Sequence, residues 1–129
     1  MDFQAYLGNE FELYAPLPEA EQLQFISQIK GPVPEDYLVF IKLYNGGEGP
    51  VGEESYLALL RLDELPSYNG SLSELYSATD YTVFVSNGGN AVFAFNKENE
   101  VIEFDLIGLG VDEAIECADG FTAFLATLV

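Results

Sequence analysis

This sequence predicts a single α+β domain in which an N-terminal helix pair and a C-terminal helix pack against an antiparallel β-meander. Three observations predict it. Apolar residues recur at helical spacing over residues 18–44, alternate with period two over 81–107, and return to helical spacing over 116–128. Glycine-rich turns separate these regimes. A chain of 129 residues that is 49% hydrophobic, with ten Phe and eight Tyr, has enough apolar surface for one core, and no repeat or linker divides it.

The first helix is expected over Pro18 to Lys30. Glu19 and Glu21 suit its positive N-terminal end, Leu23, Phe25, Ile26 and Ile29 supply an apolar face, and Lys30-Gly31-Pro32 supplies a cationic last turn, a C′ glycine and a stop. A second helix starts with Pro34 at its first position and Glu35-Asp36 beside it. Tyr37, Leu38, Ile41 and Tyr44 form its stripe, and Asn45-Gly46-Gly47 ends it with residues that accept the left-handed conformation of a C-cap.

From there the period changes. Tyr56 to Leu62 reads as a buried strand, and Ser71-x-x-Glu74 matches a capping box for a short helix over Leu72 to Ser77. Tyr81 to Ser86 and Ala91 to Asn96 flank a tight hairpin turn at Asn87-Gly88-Gly89-Asn90, and Lys97 to Glu100 turns into a third strand over Val101 to Ile107. In that strand Ile102, Phe104 and Leu106 are expected to face the core, and Glu103 and Asp105 water. Cys117, Phe121, Phe124, Leu125 and Leu128 then make one stripe of a helix from Glu116 to Leu128.

Charge restricts function more than any motif does. Twenty-two carboxylates stand against four cations, for a formal charge of −18 and a pI near 4.1. Such a surface repels polyanions, and Lys30, Lys42, Arg61 and Lys97 are scattered singly, so neither nucleic acid nor anionic membrane is an expected partner. Basic proteins are. With no histidine and a single cysteine, there is no imidazole base, no Ser/His/Asp or Cys/His relay and no Cys/His zinc cage. Only carboxylate chemistry is left for an enzyme or a divalent-ion binder. Pairs such as Glu53-Glu54 are commonplace among so many acids, and no EF-hand-like loop is present, so the chain is expected to be non-enzymatic, without metal or cofactor. The N-terminus has no cationic leader, and no run approaches the about 18 apolar residues of a membrane span, which points to the cytoplasm. Cys117, in an apolar pattern with no cation near it in sequence, reads as a structural thiol.

Four landmarks occur in one order: Val33-Pro34-Glu35-Asp36-Tyr37, Tyr44-Asn45-Gly46-Gly47-Glu48-Gly49, Asn87-Gly88-Gly89-Asn90 with the aromatic run to Phe95, and Gly120-Phe121-Thr122-Ala123-Phe124-Leu125. Over roughly residues 18 to 128 this resembles the SUKH superfamily, which includes the fungal cell-wall-synthesis regulator and many bacterial immunity proteins. The family shows a Leu-Pro-x-Asp-Tyr helix start, an Asn-Gly-Gly helix end, a glycine hairpin and a C-terminal Phe-Leu helix. This chain departs from it in Val33, where Leu is usual, and in having no Trp. The resemblance implies helices on one sheet, no catalytic residues, and a role in binding other proteins, most concretely as an immunity protein that neutralises a basic toxin domain, such as a nuclease, of a polymorphic or contact-dependent system. A regulatory or scaffold module without a toxin is the alternative.

Candidate partner-binding residues are the loop acids Glu48, Glu53 and Glu54 and the strand acids Glu103 and Asp105. Pro34, Asn45, Gly46, Gly47, Gly88 and Gly89 are expected to serve as helix caps and turns rather than as a binding surface.

Overall fold

The computed structural model describes residues 3–52, 55–72, 79–106 and 114–128. Among them the order is α1 (Phe3–Leu7), β1 (Glu12–Leu13), α2 (Glu19–Gln28), α3 (Glu35–Leu43), β2 (Gly47–Val51), β3 (Ser55–Leu59), α4 (Leu65–Ser71), β4 (Thr82–Ser86), β5 (Ala91–Phe95), β6 (Val101–Asp105), β7 (Ile115–Ala118) and α5 (Phe121–Ala126). All seven strands form one antiparallel sheet in sequential order, so the expected three-strand meander is the middle of a longer one.

Alternation along each strand gives the sheet an inner and an outer face. Leu57 and Leu59 of β3, Phe95 of β5 and Val101 of β6 point inward to meet Tyr37, Phe40 and Ile41 of α3, Phe121, Phe124 and Leu125 of α5, and Phe3 and Leu7 of α1. A bulge between Val83 and Val85 sets Phe84 and Val85 of β4 in the same inner core. Phe84 stacks on Phe95 with ring centroids 4.0 Å apart, and Tyr37 meets Phe95 at 4.9 Å and Phe121 at 5.1 Å. A smaller core lies on the outer face over β4–β6, where Val83, Val92, Ala94, Ile102 and Phe104 are covered by Tyr68, Leu72, Tyr81 and Leu106.

The motif residues at the start of α3 hold two helices together. Pro34 stands at the N-cap, one residue before the expected position, and its carbonyl accepts the first helical bond from Leu38. The Asp36 carboxylate accepts bonds from the Tyr37 N–H at 2.9 Å, the Thr122 N–H at 2.9 Å and the Thr122 hydroxyl at 2.8 Å. One side chain thereby satisfies N-terminal donors of both α3 and α5. Tyr37 beside it is fully buried, and its hydroxyl has no hydrogen-bond partner among the described residues. Burial pushes that phenol far above its usual range, so it stays neutral. Tyr37→Phe is therefore expected to raise stability by about 1 kcal/mol, because it removes an unsatisfied buried hydroxyl and keeps the ring contacts. Urea denaturation measures it, and a lower midpoint would show that the hydroxyl has a partner.

Asn45-Gly46-Gly47 acts as a clasp rather than a helix cap. α3 ends at Tyr44 in an extended conformation, and the left-handed residue is Gly46, with φ +73°. Buried Asn45 accepts the Leu62 N–H at 2.7 Å and donates to Asp63 at 3.2 Å, tying the end of α3 to the β3–α4 turn. At the hairpin, Gly88 has φ +84° as a tight turn requires, and the Gly89 N–H donates to Asn87 Oδ1 at 2.8 Å.

Several expectations are corrected. In α2 the inward face is Gln22, Phe25, Ile26 and Ile29, while Leu23 is 58% exposed. Gln22 is tolerated inside because its amide donates to Leu17 O at 2.9 Å and to Lys42 O at 3.1 Å. Lys30 and Gly31 lie beyond the end of α2, whose C-cap is Ile29 in an extended conformation. The helix expected from Glu116 is a strand followed by a shorter helix. Glu116 and Ala118 pair with Ile102 and Val101, and extended Gly120 at the N-cap separates β7 from α5. α4 ends at Ser71, and residues 73–77 of the helix expected over Leu72 to Ser77 lie outside the described residues.

Candidate functional site

Among the described residues, the outer-face core lies over β4–β6, and acids and tyrosines stand on that face over β1–β3. Gly47, Gly49 and Val51 of β2 turn inward, so Glu48 turns outward and is exposed. Register places Glu12 of β1 directly opposite Glu48 on one side and Ala58 of β3 on the other. The Tyr56 hydroxyl donates to Glu48 Oε2 at 2.7 Å. Hydrogen bonding by Tyr56 first, and by the nearby Tyr14 phenol second, holds the Glu48 carboxyl below its ordinary value. Both phenols are correspondingly raised, chiefly by their bond to Glu48. The Tyr56 ring, 42% exposed, rests on the β4–β5 turn, where a Cβ on Gly88 would come within 3.1 Å of it.

The result is a pre-set acidic and aromatic surface. Two like charges face each other across a strand pair, an arrangement that costs stability unless a cation joins them. Among the described residues the ion pairs are Arg61–Asp63 and Lys97–Asp80, and neither cation, nor any other among those residues, pairs with Glu12 or Glu48. A carboxylate that accepts one phenol hydroxyl retains acceptor capacity, and ring faces beside it suit a guanidinium or ammonium group.

The remaining candidate acids are not brought to this surface. Glu53 and Glu54 lie outside the described residues. Glu103 and Asp105 are half-buried and turn toward the inner face, because Glu103 opposes Phe93, which packs on Phe124 at 5.0 Å. Ile102 and Phe104 instead enter the outer core, so the expected outward aspect of Glu103 and Asp105 is inverted. Four strand spacings, about 19 Å of sheet, also separate them from Glu48. Cys117 lies 3.9 Å from Glu103 Oε1, and burial first, then that carboxylate, raises its thiol pKa, which matches an unreactive structural cysteine.

A model of the SMI1 / KNR4 family (SUKH-1) matches residues 16–127. The chain belongs to that family. Among curated proteins none matches it. Membership makes this SUKH-1 chain a protein-interaction domain of the SUKH type at family level. The structure assigns its motif residues to architecture: Asp36 joins helices, Asn45 clasps the β3–α4 turn, and Gly46 and Gly47 admit backbone too close for a side chain.

Two features of this SUKH-1 fold escaped the sequence reading. Tyr14 comes near Glu48 through the register of β1 on β2, and Tyr56 through that of β3 on β2, which no sequence motif reports. Glu100, Glu116 and Asp119 bring carboxylate oxygens within 4.8 Å of one another at the β6–β7 end, where the charge of Glu100, followed by its hydrogen bond, raises the Glu116 carboxyl. These are exposed or half-exposed acids of the kind that can share a proton or meet a divalent cation. No helix among the described residues is long and apolar enough to cross a membrane.

Proposed function

We propose that this SUKH-1 domain is a non-enzymatic cytoplasmic immunity protein that neutralises a basic toxin domain by covering its surface. The observation that carries the proposal is the unneutralised outer face of β1–β3, with Glu12, Glu48, Tyr14 and Tyr56 exposed or half-exposed together in a chain of charge −18. A nuclease toxin must present cations to phosphate, and an acidic protein can occupy that same surface in place of the polyanion. Family membership supplies the expectation of a protein partner. The electrostatics support its sign, and Glu48 with its Tyr56 hydrogen bond and neighbouring Tyr14 offers anchors for arginine or lysine.

Co-expression with a toxin encoded immediately beside the gene tests the proposal. Wild-type protein is expected to restore growth and to co-purify with the toxin, and a Glu12→Lys/Glu48→Lys variant of unchanged thermal stability is expected to do neither. Full protection by that variant would remove this face from the mechanism. Capture of a host protein, with no toxin encoded nearby, would favour a regulatory module.

A further inference from the structure

We propose that the crevice between the C-terminal end of α2 and α4 is a socket for a small neutral hydrogen-bonding group, a hydroxyl or carboxamide on a short apolar stem. It shares no residue with the Glu48 face. The crevice has a volume of about 70 Å³ and is lined in part by Ile29, Lys30, Leu65, Pro66, Gly70 and Thr82. That is room on the order of five water positions, too much for a packing defect and enough for a short side chain.

The deciding atom is the Thr82 hydroxyl. Thr82 is 1% exposed, and its Oγ1 has no hydrogen-bond partner among the described residues. Buried hydroxyls are almost always paired, so an orphan lining an open crevice marks a bond that an occupant completes. Asn69, the other buried polar residue there, is already engaged. It donates to Leu65 O at 2.9 Å and Val83 O at 3.0 Å and accepts the Val83 N–H at 2.7 Å, where β3 has left the edge of β4.

Charge narrows the class of occupant. Lys30, exposed at the lining and without an ion pair among the described residues, disfavours a cation. The carbonyl end of α2 and the net charge of −18 disfavour an anion. Ile29, Leu65 and Pro66 offer an apolar wall to a hydrocarbon stem, and a threonine hydroxyl both donates and accepts.

NMR titration of the ¹⁵N-labelled chain with 2-propanol and acetamide tests this, with acetate and methylammonium as charged controls. The neutral probes are expected to shift the amides of Gly31, Gly70 and Thr82 saturably, and the charged ones at least about tenfold more weakly. Thr82→Val should abolish the shifts and leave the melting temperature unchanged or higher. Gly70→Leu is the second variant, because Gly70 lines the crevice and a Cβ there meets nothing within 4 Å, so a longer side chain is expected to fill it. It should also abolish binding in a folded protein. Tighter binding of a blocked threonine than of 2-propanol would assign the occupant to a protein side chain, and the reverse to a free small molecule. The proposal is overturned if no neutral probe saturates, if the charged controls bind equally well, or if Thr82→Val lowers the melting temperature, which would assign the hydroxyl to a fixed internal water.

Discussion

Gly46→Val is expected to cost about 3–5 kcal/mol, enough to leave a marginal domain largely unfolded. Two effects add. Gly46 has φ +73°, a conformation that a β-branched residue adopts only under strain, and a Cβ built there falls 2.5 Å from Leu59 O and 2.6 Å from Leu60 O. Both atoms belong to backbone of the sheet margin, so neither can yield cheaply. Gly47→Val should also destabilise, for a different reason. Its φ is not left-handed, but a Cβ would overlap Glu12 O and lie 2.9 Å from Phe11 Cε1, where β1 crosses β2. Gly89→Ala is the control, since its Cβ would meet only Asn87 Oδ1 at 3.4 Å. Urea denaturation of the three variants gives the order, and unchanged midpoints for Gly46→Val and Gly47→Val would show that neither close approach exists.

Asp36→Ala is expected to cost about 2–4 kcal/mol, through loss of charge-assisted bonds at two helix N-termini. Asp36→Asn should retain part of this, because its single acceptor oxygen can still take the Thr122 N–H. The discriminating measurement is a double-mutant cycle with Thr122→Val. A coupling of about 1 kcal/mol or more places the energy in the α3–α5 link, and additive effects would place it elsewhere.

These two predictions concern motif residues, and they show what the sequence could disclose. α3 and strands β4–β6 were legible because their apolar periods are regular and one or both faces are buried. β2 was not. Gly47-Glu48-Gly49-Pro50-Val51 has poor strand propensity, and its inward glycines are small because the chain from Glu10 to Glu12 passes within 2.9 Å of where a Gly49 Cβ would lie. β7 was hidden inside a helical stripe that happened to begin at Cys117, although hydrogen bonding to β6 and the extended Gly120 divide it from α5. α4 contains Pro66 and Gly70 and is held by the Asn69 amide clamped to Val83, a tertiary bond with no local signal.

The site was legible as charge but not as geometry. Glu48 was singled out for its acidity, and only the strand register shows that Tyr56 bonds it, with Tyr14 nearby, and that Glu12 faces it. The aspect of Glu103 and Asp105 was inverted because alternation alone cannot choose between two faces when both carry a core.

The proposed function rests on capture of a basic protein by the acidic sheet face around Glu48 and Tyr56. The most direct test is the association rate with the toxin encoded beside the gene, measured by surface plasmon resonance from 0.01 M to 0.15 M salt. Over that range the Debye length contracts from about 30 Å to about 8 Å, so the rate is expected to fall steeply while dissociation changes much less. Glu12→Lys/Glu48→Lys should slow association at low salt more than Glu103→Lys/Asp105→Lys, whose acids lie half-buried on the opposite face. An association rate indifferent to salt, or one slowed equally by both pairs of reversals, would contradict the claim.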